Sequence, residues 1–314
     1  MTEMQPRKSP RPAADRRGRR AALGGRTLPL VMIAPTAVLL GGLILVPVGY
    51  SVWLALYKWR ITDINGPKPF VGLDNFDRLL HDDALLTSLR NTGLFVVGCV
   101  IAELVLGLVV AVALFHVTKG RRLANSIILL PMIVAPVICS LLWRYMLDPQ
   151  FGLLSQLLSL FGHEGGIDWF GSTTLALPAL MLVDVWQWTP FVILVLHAGM
   201  LAVPQEHIEA ADVDGASRFQ VVRHVIVPAL APQVLLVLLF RTMDTYRVFD
   251  TVYVLTKGGP GTSTNTIGFY AYRTGFSFFD MGYAMALSVF ILITIVAISA
   301  GYLRLLRRRE GVRI

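Results

Sequence analysis

Six long apolar runs, separated by short polar breaks, set the plan of this chain. They cover about residues 28–57, 91–117, 126–147, 175–202, 230–255 and 281–303. Each reaches the roughly 18–20 residues that a helix needs to cross a bilayer. The pattern predicts an all-α membrane protein with six transmembrane helices. The first run exceeds the requirement, so it tilts or protrudes. It is also too long for a signal-peptide core, and no small-residue cleavage site ends it, so it reads as a retained span. The segments divide into a basic tail (1–27) that reads as disordered, a membrane domain (28–303) with one large polar loop (203–229), and a second basic tail (304–314).

Composition agrees. Of the 314 residues 15% are charged, against about 25% in soluble domains, which leaves no room for a large soluble domain. The formal charge of +8 reflects clusters beside the spans, where orientation signals belong; the partner it implies is the lipid bilayer, not nucleic acid. With the N-terminus inside, segments 1–27, 118–125, 203–229 and 304–314 hold eighteen Lys/Arg and the opposite segments seven. The bias predicts both termini in the cytoplasm. Segment 58–90 dissents with five Lys/Arg, countered by aspartates, and reads as an interfacial helix and loop on the outer face. Cys99 and Cys139 lie in apolar runs and read as small buried hydrophobes. The histidines lack metal-ligand spacing.

The loop 203–229 is polar between two apolar spans. It reads as two short helices joined at a bend. Glu206, Glu209, Asp212 and Asp214 keep the first wet and suit the positive end of its dipole. Ala210, Ala211 and Ala216 are small enough to let another protein approach, and Gly215 permits the bend. Phe219, Val222, Val225 and Ile226 form an apolar stripe at helical spacing, and Pro228 ends the second helix. A solvated loop with an amphipathic helix on the membrane surface is the plainer reading.

Charges inside the spans each need a reason, since one costs about 2.5–3.5 kcal/mol at mid-bilayer on insertion scales. The fifth run carries Arg241, Asp244, Arg247 and Asp250, alternating in sign along one side of a helix, Arg241 deepest and Asp250 nearest the outer surface. Two readings stay open: a structural ion ladder, or the lining of a transport path and its outer gate. In the fourth run Asp184, Gln187 and Trp188 share a face, a carboxylate, an amide and a ring that suit a sugar; Trp186 and Trp188 also fit plain packing. Pro190 should loosen the helix beside them. Glu103 in the second run reads as a partner for a neighbouring span or as a protonated carboxyl.

The spacing of the polar loop is specific: Glu209-Ala210-Ala211, Gly215 four residues later, and Pro228 thirteen beyond that. It resembles the coupling loop of ABC importer permeases. Residues 70–76 (FVGLDNF), Pro131, Pro136, Trp143-Arg144, 184–191 (DVWQWTPF) and 249–260 (FDTVYVLTKGGP) are similar to the carbohydrate-uptake branch of that family. The likeness covers about residues 30–305. It implies the type I ABC importer permease fold with a cytoplasmic coupling helix. Residues 206–216 would sit in a cleft of an ATPase subunit, and closure of the ATPase dimer would move the permease helices as rigid bodies. The implied partners are a second, related permease, a homodimeric or heterodimeric ATPase and an extracytoplasmic solute-binding protein docking on outer loops including 58–90 and 148–174.

The sequence has no G-x-x-x-x-G-K-[ST] loop. The chain is therefore expected to bind no cofactor, with ATP and magnesium on the partner ATPase, and to be no enzyme itself. Sugars are the first substrate class implied, with polyols and glycerol-phosphate-type solutes as alternatives. An ion-coupled secondary transporter would be expected to show two related halves with broken helices, and a membrane enzyme a clustered reactive site; neither pattern is visible.

Overall fold

A computed structural model describes residues 16–310, apart from 64, 65, 67, 118, 119 and 162–165. The first fifteen residues of the basic tail, and the last four of the chain, lie outside the described residues. The helices are α1 (Arg16–Ala55), α2 (Asp74–Leu80), α3 (Asp83–His116), α4 (Arg121–Ile133), α5 (Pro136–Met146), α6 (Leu153–Leu160) and α7 (Ala176–Leu201). They continue with α8 (Gln205–Val213), α9 (Arg218–Val221), a π-helical turn (Val222–Ile226), α10 (Val227–Ala229), α11 (Ala231–Tyr246), α12 (Asp250–Leu255), α13 (Ile267–Phe276) and α14 (Met281–Glu310). The chain divides into two compact units, residues 1–51 and 52–314. The first is the larger part of α1; the second holds everything described below.

Among the described residues, four helices are by themselves long and apolar enough to cross a membrane, and two bent pairs bring the number to six. The third apolar run is not one rod. It breaks between α4 and α5 with a bend of 95°. Pro136 explains the break: it removes an amide donor and drives Ala135 into extended backbone (φ −60°, ψ 138°). The fifth run starts where the sequence places it but differs from expectation at its far end. The segments Arg218–Ala229 and Ala231–Leu255 meet at 62°, with the break at Leu230; Pro228 lies inside α10 and does not end the helix. Near the other end α11 stops at Tyr246, and Arg247–Phe249 separate it from α12. Asp250 therefore does not continue the face of Arg241 and Asp244. By contrast, α7 stays continuous through Pro190.

Helices α3 and α7 form the spine, and they run parallel. A Cβ at Gly98 would lie 2.9 Å from Met181 Sδ, and one at Gly107 would lie 2.5 Å from Val192 Cγ1. Small residues at two levels thus let the helices close up, the way helices associate where no hydrophobic drive exists between them. One core gathers around Phe95, Cys99, Cys139, Leu180, Val183 and Val252. The second, at the C-terminal ends of α3 and α7, joins Ala111, Leu114, Leu196 and Met200 to Val221, Ile226 and Leu230 of the loop region. The base of the polar loop is thereby packed on the spine.

At the other end of α3, polar side chains fasten loops to the bundle. Asn91 Nδ2 donates to the carbonyls of Thr262 (2.8 Å) and Asn265 (3.2 Å), and Asn265 Nδ2 donates to Ser88 Oγ (2.9 Å). Asp82 caps α3, accepting from the amides of Ala84 and Leu85 and from the hydroxyls of Tyr270 and Tyr283. Burial pushes its carboxyl up, but these hydrogen bonds outweigh it and hold the group below the usual carboxylate range. Arg78 donates to Asp280 at 2.8 Å and lies over the Tyr283 ring. Segment 58–90 is thus a short helix and elbow pinned to α13 and α14.

Candidate functional site

The polar loop is built as an elbow. Helix α8 is held on its surface by a Gln205 Nε2 to Glu209 Oε1 bond of 2.9 Å. Gly215 takes φ +78° with open space where a side chain would stand; only glycine reaches this left-handed backbone without strain. Ser217 then starts α9 with a capping box, its side chain and that of Gln220 each bonding the other's backbone amide. Glu206, Glu209, Ala210, Asp212, Asp214, Gly215 and Pro228 are exposed. Ala211 and Ala216 are half-buried against the spine core, so of the three alanines only Ala210 faces fully outward. A hollow of about 310 Å³ lies between α8 and α9, lined by Ala211, Asp214, Gly215, Ala216, Gln220 and His224 among others.

Phe219 corrects the sequence reading. It is 70% exposed, while Val221 and Ile226 take the buried positions. The reason is the one-turn α9 running into an i→i+5 turn, which does not keep the 3.6-residue period that the stripe assumed. The exposed face of the elbow therefore carries two large apolar side chains, Phe219 and Val213, the latter 88% exposed. Val213 went unremarked in the sequence because a lone valine among polar residues carries no periodic signal.

The second site lies on α11. Arg241 is fully buried and holds three carboxylates. Its Nε and Nη2 donate to Glu103 Oε2 and Oε1, each at 2.6 Å; Nη2 also donates to Asp184 Oδ2 at 2.6 Å, and Nη1 to Asp244 Oδ2 at 2.9 Å. Asp244 bridges on to Arg247 at 3.2 Å. The guanidinium lies 5.0 Å from the centre of the Trp188 ring. Side-chain exposure rises outward, 2% at Arg241, 35% at Asp244 and 67% at Arg247, and Asp250 is exposed. Glu103, which looked like a lone carboxylate, is the principal partner of the deepest charge. The sequence demanded a partner for each but could not say which.

An open cavity of about 320 Å³ follows, walled by Trp188, Phe191, Phe240, Arg241, Asp244 and Arg247 among others. Such a volume sits at the low end for small-molecule sites. Of the residues read as a substrate face, Trp188, Asp244 and Arg247 line it. Asp184 reaches it only through Arg241. Gln187 is turned away: its Nε2 donates 2.9 Å to the carbonyl of Val134, at the break between α4 and α5. Trp186 points outward and packs edge-on against Trp143 at 5.7 Å. Arg144 ties the two bent spans together by donating to the Val254 carbonyl at 2.7 Å.

An all-helical bundle with bent spans, an elbow packed on the spine and a charged cavity in its side has the build of a transport subunit, and comparison with known proteins agrees. Residues 103–311 match the model of the family described as "Binding-protein-dependent transport system inner membrane component". The chain belongs to this family of inner-membrane ABC transporter permeases. It is 35% identical over 280 residues to the trehalose/maltose transport system permease protein MalF of Thermococcus litoralis, covering 89% of this chain and 94% of that one. It is 32% identical over 291 residues to the sulfoquinovosyl glycerol transport system permease protein SmoG of Agrobacterium fabrum, covering 92% and 93%. The fold resembles a chain of a bacterial ABC transporter involved in the import of the acidic polysaccharide alginate, with TM-score 0.77, 22% identity and coverage of 92% and 99%.

Proposed function

We propose that this permease forms half of the path by which a carbohydrate crosses the bacterial inner membrane, driven by ATP hydrolysis on a separate subunit. The observation that carries the reading is the elbow. An exposed short helix, a left-handed glycine and a hollow stand on the C-terminal ends of the two spine helices. A force applied to α8 reaches α3, α7 and α11 through one packed core, and close-packed elements transmit such a push as a rigid-body shift. In this reading Glu206, Glu209, Ala210, Asp212, Asp214 and Gly215 meet the ATPase, with Val213 and Phe219 as the apolar anchors. ATP and magnesium stay on that partner.

Both termini then lie in the cytoplasm. The Lys/Arg bias of the connecting segments supports this, and the parallel course of α3 and α7 is what alternate spans of one chain require. A second permease supplies the other wall of the path, and a solute-binding protein delivers substrate at the end carrying the pinned 58–90 elbow. Trp188, Asp244 and Arg247 face the solute, while Asp184 and Gln187 position the helices behind them. Carbohydrate is favoured by the wall itself, an aromatic surface beside hydrogen-bonding charges, and by relatives named for trehalose/maltose and sulfoquinovosyl glycerol transport.

Reconstitution of the complete transporter in proteoliposomes tests the reading. Uptake of a sugar that requires ATP and persists when the proton gradient is dissipated is the expected result. Uptake that collapses with the gradient would contradict it.

A further inference from the structure

The stretch after α1 carries basic residues that transport does not use. Residues 56–58 and 69–71 run antiparallel: Lys58 N donates to the Pro69 carbonyl at 3.0 Å, Val71 N to the Leu56 carbonyl at 2.9 Å, and Tyr57 pairs with Phe70. On the other edge Ile61 N donates to the Phe279 carbonyl at 3.1 Å and Met281 N to that of Trp59 at 2.9 Å. The result is a small plate held from both sides. Side chains alternate along extended segments, so Tyr57 and Trp59 share one face with Phe70 and Lys68, while Lys58 and Arg60 take the other. The first face is aromatic. The Tyr57 and Phe70 rings meet edge-on at 5.4 Å, Trp53 of α1 stands 4.7 Å from Tyr57, and Lys68 Nζ lies 4.1 Å from the centre of the Trp59 ring. Lys58, Arg60 and Lys68 are all exposed.

We infer that this plate binds the headgroups of anionic phospholipids. It directly follows the apolar span Val31–Ala55, so it stands at the depth where the headgroups begin, the depth that Trp and Tyr prefer. Its rings stay open there, Trp53 46% and Phe70 66% exposed. Arg78 nearby is matched by Asp280, but among the described residues Lys58, Arg60 and Lys68 make no ion pair, neither with the exposed Asp63 and Asp74 nor with any other carboxylate. An aromatic face backed by basic side chains is the build of elements that lie in the membrane surface and hold it by apolar burial together with attraction to anionic lipid. Long basic side chains reach back to the phosphates from such a position. An acidic protein seated on Lys58 and Arg60 would leave the aromatic face open to water, whereas a lipid surface satisfies both faces. The inference concerns the leaflet at this end of the bundle and is independent of the solute carried.

The test places the complete transporter in phosphatidylcholine nanodiscs with a fluorophore on Thr62→Cys, an exposed position in the plate's turn; the native Cys99 and Cys139 are buried. Trace phosphatidylglycerol or phosphatidylcholine, spin-labelled at the top of the acyl chain, quenches the fluorophore on contact. Phosphatidylglycerol should be enriched at the plate about fivefold or more, the factor that one basic residue at a charged surface supplies. The triple change Lys58→Gln, Arg60→Gln and Lys68→Gln should abolish the preference, and Lys68→Arg alone should keep it. A second measurement needs no change to the plate's charges: salt screens exposed charges, so the enrichment should fall as sodium chloride is raised. Equal quenching by the two lipids overturns the inference, as does a preference that survives the triple change or high salt. If sodium phosphate removes the preference more than sodium chloride of equal ionic strength, the plate is a site for free anions and the inference fails. It fails too if the triple change leaves the lipid preference intact and instead weakens the affinity for the solute-binding protein.

Discussion

The guanidinium of Arg241 on α11 meets the carboxylate of Glu103 on α3 through two parallel hydrogen bonds of 2.6 Å, both side chains buried. This pair joins the helix of the charged cavity to the spine. Removing Glu103 leaves Asp184 and Asp244 on the guanidinium but unpairs its two donors to α3 in a low-dielectric interior, each costing about 1–3 kcal/mol. Glu103→Ala should therefore lower the thermal midpoint of the purified permease sharply, and Glu103→Gln, which keeps one acceptor, should do so less. An Ala variant that melts like the native protein would show the pair to be dispensable.

Gln187 and Trp188 are neighbours in sequence with different tasks. Gln187 satisfies the carbonyl of Val134 at a broken helix; leaving such a group unpaired costs about 1–3 kcal/mol. Gln187→Leu should reduce stability, and transport with it. Trp188→Ala should cut transport with a small change in melting temperature. Matching melting and uptake losses in the two variants would contradict this division.

The elbow depends on the backbone at Gly215. A β-branched residue at φ +78° is strained by roughly 1–2 kcal/mol, yet the space beside it is open, so the fold should survive. Gly215→Val and Glu209→Lys should both abolish solute-stimulated ATP hydrolysis while membrane insertion is retained. Insertion is checked by protease accessibility and coupling by phosphate release. Normal stimulation in the Glu209→Lys variant would count against docking at α8.

Asp82 anchors the far end of the bundle. Its carboxyl is held below the ordinary range chiefly by Tyr270 and Tyr283 against the opposing effect of burial. The stabilisation is present above the unfolded value near 4 and is lost as pH falls through the lower folded value. Hydrogen exchange at the start of α3 should be flat from about pH 8 to 5, once corrected for intrinsic rate, and should rise only in stronger acid. In Asp82→Ala, protection should already be low at neutral pH.

Much of the architecture was legible from hydropathy. The boundaries of α7 and the bend at Gly215 follow directly from residue type, since length, apolarity and glycine act locally. The bend at Pro136 did not register, because the residues on both sides are equally apolar and a hydropathy window averages across the break; Pro136 itself was the available signal. The break at Leu230 falls where the polar loop gives way to the fifth apolar run. The charged cluster was half legible. Each buried charge announced its need for a counter-charge, but pairing Glu103 with Arg241, 138 positions apart, depends on how α3 and α11 cross. Phe219 was misplaced because a π turn breaks the period on which the stripe rested, and Asp250 because α11 ends before reaching it.

A cryo-electron microscopy reconstruction of the purified complex shows whether an ATP-hydrolysing partner grips α8 and the Gly215 turn. Glu206 to Ala216 should be seated in a cleft of the ATPase, with Val213 and Phe219 covered. An intact, ATP-hydrolysing complex in which that elbow stands bare in solvent would contradict it.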